Sequence, residues 1–236
     1  MNEIPVALIG MGKMGKALAA LASERGFRVV AALDPSHADY RGVTREALAG
    51  AQVAIEFTTP DAAPDNIRAS AAAGCPIVVG TTGWYARRDE LAAEVQQRGS
   101  ALLTAPNFSV GVAVFDRVVA EAARLFGKLE GFDAHLVETH HAAKKDAPSG
   151  TAGALAHTAE EALGRAIPIT SIRTGSVPGT HEVIFDAPFE QVRLVHEARD
   201  RRVFAEGALV AARWLVGRRG VFTMQDVLSS KSEGAS

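Results

Sequence analysis

The chain has 236 residues, 47% of them hydrophobic and 22% charged, with a formal net charge of −2. That length holds one large or two modest α/β domains, and the charge offers no general attraction for nucleic acid or an anionic membrane. One cysteine, Cys75, excludes an internal disulfide and a cysteine-rich metal centre, and no apolar run is long enough to span a bilayer.

The first residues, MNEIPVALIG, lack the basic flank and cleavage pattern of a signal peptide, so the expected compartment is the cytoplasm. Short β-rich runs then alternate with Ala-rich helical stretches. Strands are expected at residues 4–9, 27–33, 52–57, 76–79 and 100–104, and helices at 13–25, 61–73 and 85–98. Continuous apolar strands in this alternation predict a parallel sheet covered on both faces. After residue 110 the rhythm changes. A helix is expected over 110–126, a strand over 132–138, a polar loop to Ser149 and a helix over 151–163. Strands at 167–173, 179–186 and 191–197 suit a mixed sheet. A helix at 203–217, a short element at 221–228 and a frayed polar tail at 231–236 complete the chain. The expected class is α/β: a Rossmann-like parallel-sheet domain plus a second α+β domain with a mixed sheet.

Gly10-Met11-Gly12-Lys13-Met14-Gly15 lies between the first strand and the first helix. Glycines there permit a tight turn and close approach of a pyrophosphate, which the free amides of the helix start then face. Asp34, ending the second strand, can accept from both hydroxyls of an adenosine ribose, whereas a 2′-phosphate would meet like charge. An Asp34-Pro35 turn explains the same dipeptide, and the two roles are compatible. Lys13 is the nearest sequence candidate to offset a 2′-phosphate, with His37 second. Gly80-Thr81-Thr82-Gly83 and Ala105-Pro106-Asn107-Phe108 follow two further strands, at the edge where open parallel sheets hold ligands. Thr82 and Asn107 offer hydrogen bonds to a nicotinamide amide or ribose there. Singly, each is an ordinary turn.

The densest polar cluster runs from Glu138 to Thr151, E-T-H-H-A-A-K-K-D-A-P-S-G-T. Glu138, His140 and His141 are plausible metal ligands, but the lysines would repel a dication and no second His or Cys cluster completes the set. An anion site with proton chemistry fits better. His140 or His141 can exchange protons near neutral pH, Lys144 adds charge or a proton, and Gly150 and Thr151 at a helix start can receive a carboxylate. Ser149 can cap that helix. A small dicarboxylate would use all of these groups. Cys75, His135, His157 and His196 are read as packed, solvated or structurally satisfied, Trp84 and Trp214 as packing anchors. Arg199-Asp200-Arg201-Arg202 and Arg218-Arg219 are read as solvated charge.

The Glu138–Thr151 segment resembles the signature of the dihydrodipicolinate reductases, E-x-H-H-x-x-K-x-D-A-P-S-G-T. Residues 80–83, 105–112, 173–175, 179–182 and 222–228 resemble the family's other landmarks, so the likeness covers nearly the whole chain. It implies hydride transfer from NADH or NADPH to a small cyclic imine-type dicarboxylate of lysine biosynthesis. His140 would be the catalytic acid/base and Lys144 a second proton donor, with His141, Gly150 and Thr151 on the carboxylates. Cofactor contacts would fall on Gly10, Met11, Gly12, Lys13, Met14, Gly15, Asp34, Gly80, Thr81, Thr82, Ala105, Pro106, Asn107 and Phe108. The implied division is a dinucleotide domain of residues 1–109 and 202–236 and a substrate-binding and oligomerisation domain of 110–201, in a homotetramer, closing to exclude water. Many relatives carry Arg after the ribose-binding acid. Pro35 stands there in this chain, so NADH is expected to serve at least as well as NADPH. A different small-acid dehydrogenase, such as an aspartate dehydrogenase, would share the first domain without the central signature, and a non-catalytic nicotinamide sensor would lose the catalytic groups.

Overall fold

The computed structural model describes residues 3–38 and 40–229; the polar tail at 231–236 lies outside them. The chain divides into two compact units, cut between Ser109 and Val110 and between Arg201 and Arg202.

The first unit carries a six-stranded sheet in the order β10-β5-β4-β3-β1-β2, every pair parallel. Its strands are β1 (Ile4–Ile9), β2 (Phe27–Leu33), β3 (Val53–Glu56), β4 (Ile77–Val79), β5 (Ala101–Thr104) and β10 (Gly220–Phe222). Residues 6–9, 53–56, 77–79 and 101–104 are buried throughout, the continuous apolar pattern of strands covered on both faces. Helices α1 (Lys13–Ala22), α2 (Ala63–Ala72), α3 (Arg88–Gln97) and α6 (Arg202–Leu215) belong to this unit, with the short α7 (Met224–Ser229). Strand order reverses between β1 and β3, since β2 follows on one side and β4 on the other. Such a switch point leaves a crevice at the carboxyl ends of the strands.

Differences from the sequence expectation are local. The helix expected over 13–25 ends at Ala22, and a 3₁₀ turn follows, because Gly26 takes a left-handed cap with φ 71°. The element expected over 221–228 is a strand and then a helix. They part at Thr223, whose amide donates to the Asp226 carboxylate at 2.7 Å, much as a capping residue closes a helix start.

The second unit holds a four-stranded sheet, β7-β6-β8-β9, with β6/β7 parallel and the other two pairs antiparallel. Its strands are β6 (Asp133–His140), β7 (Ile169–Arg173), β8 (Thr180–Ala187) and β9 (Glu190–Glu197), and its helices α4 (Val110–Phe126) and α5 (Gly150–Leu163). Ala134 and Leu136 pack with Val119, Leu155, Ala159 and Phe185 in one core. Side chains alternate along a strand, so this same face carries Glu138 and His140 onward from the core, and both are buried. The strand runs two residues past its expected end, because β7 pairs it as far as His140 opposite Arg173.

Candidate active site

In the first unit, the loop after β1 turns on Gly10, with φ 94°. A Cβ on Gly10 would lie 2.1 Å from the Phe57 carbonyl oxygen, and one on Gly15 would lie 2.0 Å from that of Gly10. Only glycine lets these three backbone segments meet. Gly12 caps α1 without a side-chain hydrogen bond and has open space where a side chain would be, leaving helix-start amides available to an anion. Three adjoining cavities of 550, 420 and 470 Å³ follow the strand ends. The first is lined by Asp34, His37, Tyr40 and Arg41, among others. The second lies over Gly10, Met11 and Gly12, and the third is bounded by Gly12, Lys13, Met14, Thr58, Gly80, Thr81 and Thr82. Shared lining residues make the run continuous: Met11 and Asp34 between the first two, Gly12, Phe57 and Thr58 between the last two. An extended dinucleotide fits such a crevice.

Asp34 is half-buried and its pKa is lowered, because its carboxylate accepts from the Ser36 hydroxyl and amide at 2.8 and 3.0 Å. Lys13 borders the cavity beside Gly80 and Thr81, whereas Lys16, one helical turn on, shares a cavity with Asp34; Arg41 shares another. Ala105–Phe108 lines none of these three cavities. That loop leaves β5 beside the one that leaves β4, with Phe108 buried edge-on against Phe57.

In the second unit, a row of side chains crosses the sheet. Ser171, Glu138, His181 and His196 are successive register partners on β7, β6, β8 and β9. Glu138 Oε1 accepts from Ser171 Oγ at 2.6 Å, Arg173 Nη2 at 2.7 Å and the Ser149 amide at 3.1 Å. Burial alone would push the carboxyl's pKa up, but these donors outweigh it and bring it to about 2. His140 Nδ1 lies 2.7 Å from Glu138 Oε2, within hydrogen-bonding distance although the ring N–H is angled off that line. Burial holds His140 below the usual histidine range; Glu138 opposes this, while Lys144 and Arg173 reinforce it. That direction favours the uncharged ring, with Lys144 and Arg173 as the cations near it. Lys144 Nζ pairs with Asp146 at 2.7 Å. Ser149 caps α5, accepting from the Ala152 amide, and open space surrounds Gly150 beside it.

His181, absent from the sequence argument except as part of a landmark, stands edge-on to His140 with ring centres 5.2 Å apart. Burial and then the His140 charge press its pKa down to about 4. Its alternation with Val183 and Phe185 toward the core is a period-2 signal that marked it. Glu138, His140 and His181 have donor atoms within 4.8 Å of one another. Arg173 already neutralises Glu138, and Lys144 bears on His140, so the neighbourhood opposes a dication.

The 199–202 charge cluster is not simply solvated. Arg201 Nη2 lies 2.7 Å from His141 Nε2. Arginine can only donate, so that nitrogen accepts. Arg218 likewise lies over the Trp214 ring at 3.9 Å. Cys75 is buried, and its thiol is pushed up to about 11 by burial. Among the described residues no helix is long and apolar enough to cross a membrane.

Comparison with known proteins places this arrangement. Residues 4–108 match the family model "Dihydrodipicolinate reductase, N-terminus" and residues 111–228 its C-terminal counterpart. A 4-hydroxy-tetrahydrodipicolinate reductase of Christiangramia forsetii is 36% identical, over 95% of this chain and 97% of its own. One of Anaeromyxobacter dehalogenans is 42% identical over 78% and 74%. Among solved structures, a dipicolinate-bound dihydrodipicolinate reductase from Paenisporosarcina superposes with a TM-score of 0.80 at 21% identity, over 95% of this chain and 99% of its own. An aspartate dehydrogenase from Thermotoga maritima reaches a TM-score of 0.55 at 13% identity, a likeness of fold alone, over 92% and 98%. On both halves of its length, the chain belongs to the dihydrodipicolinate reductase family of NAD(P)H-dependent oxidoreductases.

Proposed function

We propose that this chain reduces 4-hydroxy-tetrahydrodipicolinate to tetrahydrodipicolinate, the substrate gaining a hydride and a proton and losing water overall. The observation that carries the reading is the Glu138–His140 pair, with Arg173 on the same carboxylate and the open start of α5 beside it.

The first unit is the dinucleotide-binding domain and the second the substrate-binding and oligomerisation domain. NAD(P)H supplies the hydride. Gly10–Gly15 takes its diphosphate at the start of α1, Asp34 the adenosine ribose, and Gly80–Thr82 with Ala105–Phe108 the nicotinamide end. The substrate's carboxylates are received by His141, the Gly150 amide and Thr151. Reduction leaves electron-rich character on the ring, which the cationic surroundings stabilise. His140 and Lys144 handle protons, and Glu138 holds the His140 ring for that work. NADH serves at least as well as NADPH, since Pro35 offers no guanidinium to a 2′-phosphate and Asp34 repels one. The enzyme works in the cytoplasm as a homotetramer.

NADH consumption with freshly generated 4-hydroxy-tetrahydrodipicolinate, set against oxaloacetate plus ammonia, tests the reading. Rapid turnover is expected with the first alone. Turnover only with the second makes the chain an aspartate dehydrogenase, and turnover with neither removes the enzymatic assignment. His140→Gln and Lys144→Met should each lower kcat at least about a hundredfold while NADH still binds.

A further inference from the structure

Glu56 ends β3 with no exposed surface. Its register partners are Ile9 and Val79, both buried and apolar, so packing alone would favour an aliphatic side chain. A buried carboxyl is costly unless donors converge on it. Here they do. Oε1 accepts from the Thr58 amide at 3.0 Å, from the Thr58 hydroxyl and from Asn66 Nδ2 at 3.4 Å. The Thr58 amide also donates to Thr81 Oγ1 at 2.7 Å. Asn66 accepts from the Tyr40 hydroxyl at 3.4 Å.

This network underlies the dinucleotide crevice from end to end. Thr58 and Thr81 line the cavity at Gly80–Thr82, and Tyr40 lines the one that holds Asp34. Thr58 belongs to the loop after β3, Thr81 to the loop after β4 and Asn66 to α2. One carboxyl therefore bonds the loop after β3 and α2 and reaches the loop after β4 through the Thr58 amide, and those two loops bound the space assigned to the cofactor.

We propose that Glu56 is a positioning residue, whose buried carboxyl fixes Thr58 and Thr81 and so sets the shape of the nicotinamide end of the cofactor crevice. The inference rests on the reading of that crevice as the NAD(P)H site. The carboxyl touches hydroxyls and amides, and burial raises its pKa while the hydrogen bonds from Thr58, Thr81 and Asn66 pull the other way. A carboxyl at this place accepts from the Thr58 amide and hydroxyl together, which keeps that loop in one arrangement.

The test measures the Kd for NADH by fluorescence and steady-state kinetics on the full chain, for Glu56→Ala, Glu56→Gln, Thr81→Val and the Glu56→Ala/Thr81→Val double variant. Glu56→Ala should raise the Kd and KM for NADH about tenfold, the scale of one lost buried hydrogen bond. The KM for the dicarboxylate should not move, and kcat should fall less than about threefold. Glu56→Gln, equal in size and still able to accept from Thr58 and Asn66, should restore NADH affinity to within about threefold of wild type. The double variant should bind no worse than the weaker single one, since both act through the same contact. A folded Glu56→Ala variant that binds NADH like wild type overturns the proposal, as do independent effects in the double variant. If Glu56→Ala does not fold, Glu56→Asp replaces it: the shorter side chain withdraws from Thr58 and should weaken NADH binding about tenfold, and unchanged binding has the same overturning force. Failure of the wild type itself to bind NADH would sink the cofactor reading, and this proposal with it.

Discussion

Glu138 and His181 are direct cross-strand partners in the antiparallel β6–β8 pair, on the face that also carries the hydrophobic core. The sheet thereby sets a carboxylate held near pKa 2 beside an imidazole held near 4, with His140 against both. Replacing Glu138 by Gln keeps the volume but removes the counter-charge of Arg173, whose side chain is only 17% exposed. Breaking a buried pair in this way costs about 3–5 kcal/mol. Urea unfolding should show that loss, and kcat should drop at least about tenfold as His140 loses its partner. A Glu138→Gln enzyme with wild-type kcat would dismiss the orienting role.

His181 makes stability fall in mild acid. Its pKa stands at 6.5 in an unfolded chain and about 4 in the fold, so between those values the unfolded state binds the extra proton. Folding free energy should be full above pH 6.5 and decline as the pH falls toward 4, by on the order of 3 kcal/mol. Glu138, with its carboxyl lowered from 4.5 to about 2, adds a second loss across that more acidic window. Urea melts at pH 7 and pH 5 will separate the two groups. The difference between them should shrink in His181→Gln, and an undiminished difference would assign it elsewhere.

On the proposed reading, cofactor choice turns on Asp34. Removing its carboxylate in Asp34→Ala should lower kcat/KM for NADH about tenfold, the worth of a lost hydrogen-bonding partner of the ribose. It should leave NADPH unharmed or improved, because Lys16 and Arg41 then face the 2′-phosphate unopposed. Equal losses with both cofactors would remove Asp34 from the discrimination.

Two glycine substitutions in helices should have opposite signs. A Cβ at Gly207 of α6 would stand 1.6 Å from the Phe108 carbonyl oxygen, whereas one at Gly153 of α5 meets nothing within 4 Å. Gly153→Ala should therefore gain about 0.5–1 kcal/mol of helix propensity. Gly207→Ala should lose about 1–3 kcal/mol to the clash and raise the KM for NADH by displacing the Ala105–Phe108 loop. Thermal melts of the two variants check the signs.

Much of this was legible in the sequence, for reasons that differ by element. Continuous apolar runs such as Val6–Ile9 announce strands buried on both faces, and the glycines of residues 10–15 sit where a strand must hand over to a helix. Segments that depend on long-range pairing were harder. That β6 extends to His140 follows from its pairing with β7, thirty residues on, which no local pattern near 140 encodes. The same holds for partners. Arg173, His181 and Arg201 reach the Glu138–Thr151 segment from separate strands and a loop, and the sheet register chooses them.

The placement of β10 bears on how the molecule is made. This strand pairs with β5 across more than a hundred residues, and α6, which follows the second unit, belongs to the first. On the ribosome the second unit emerges whole while the first still lacks its outermost strand and a covering helix. The first unit is thus completed only after the second. Until then β5 is an unprotected edge, open to mispairing with another nascent chain.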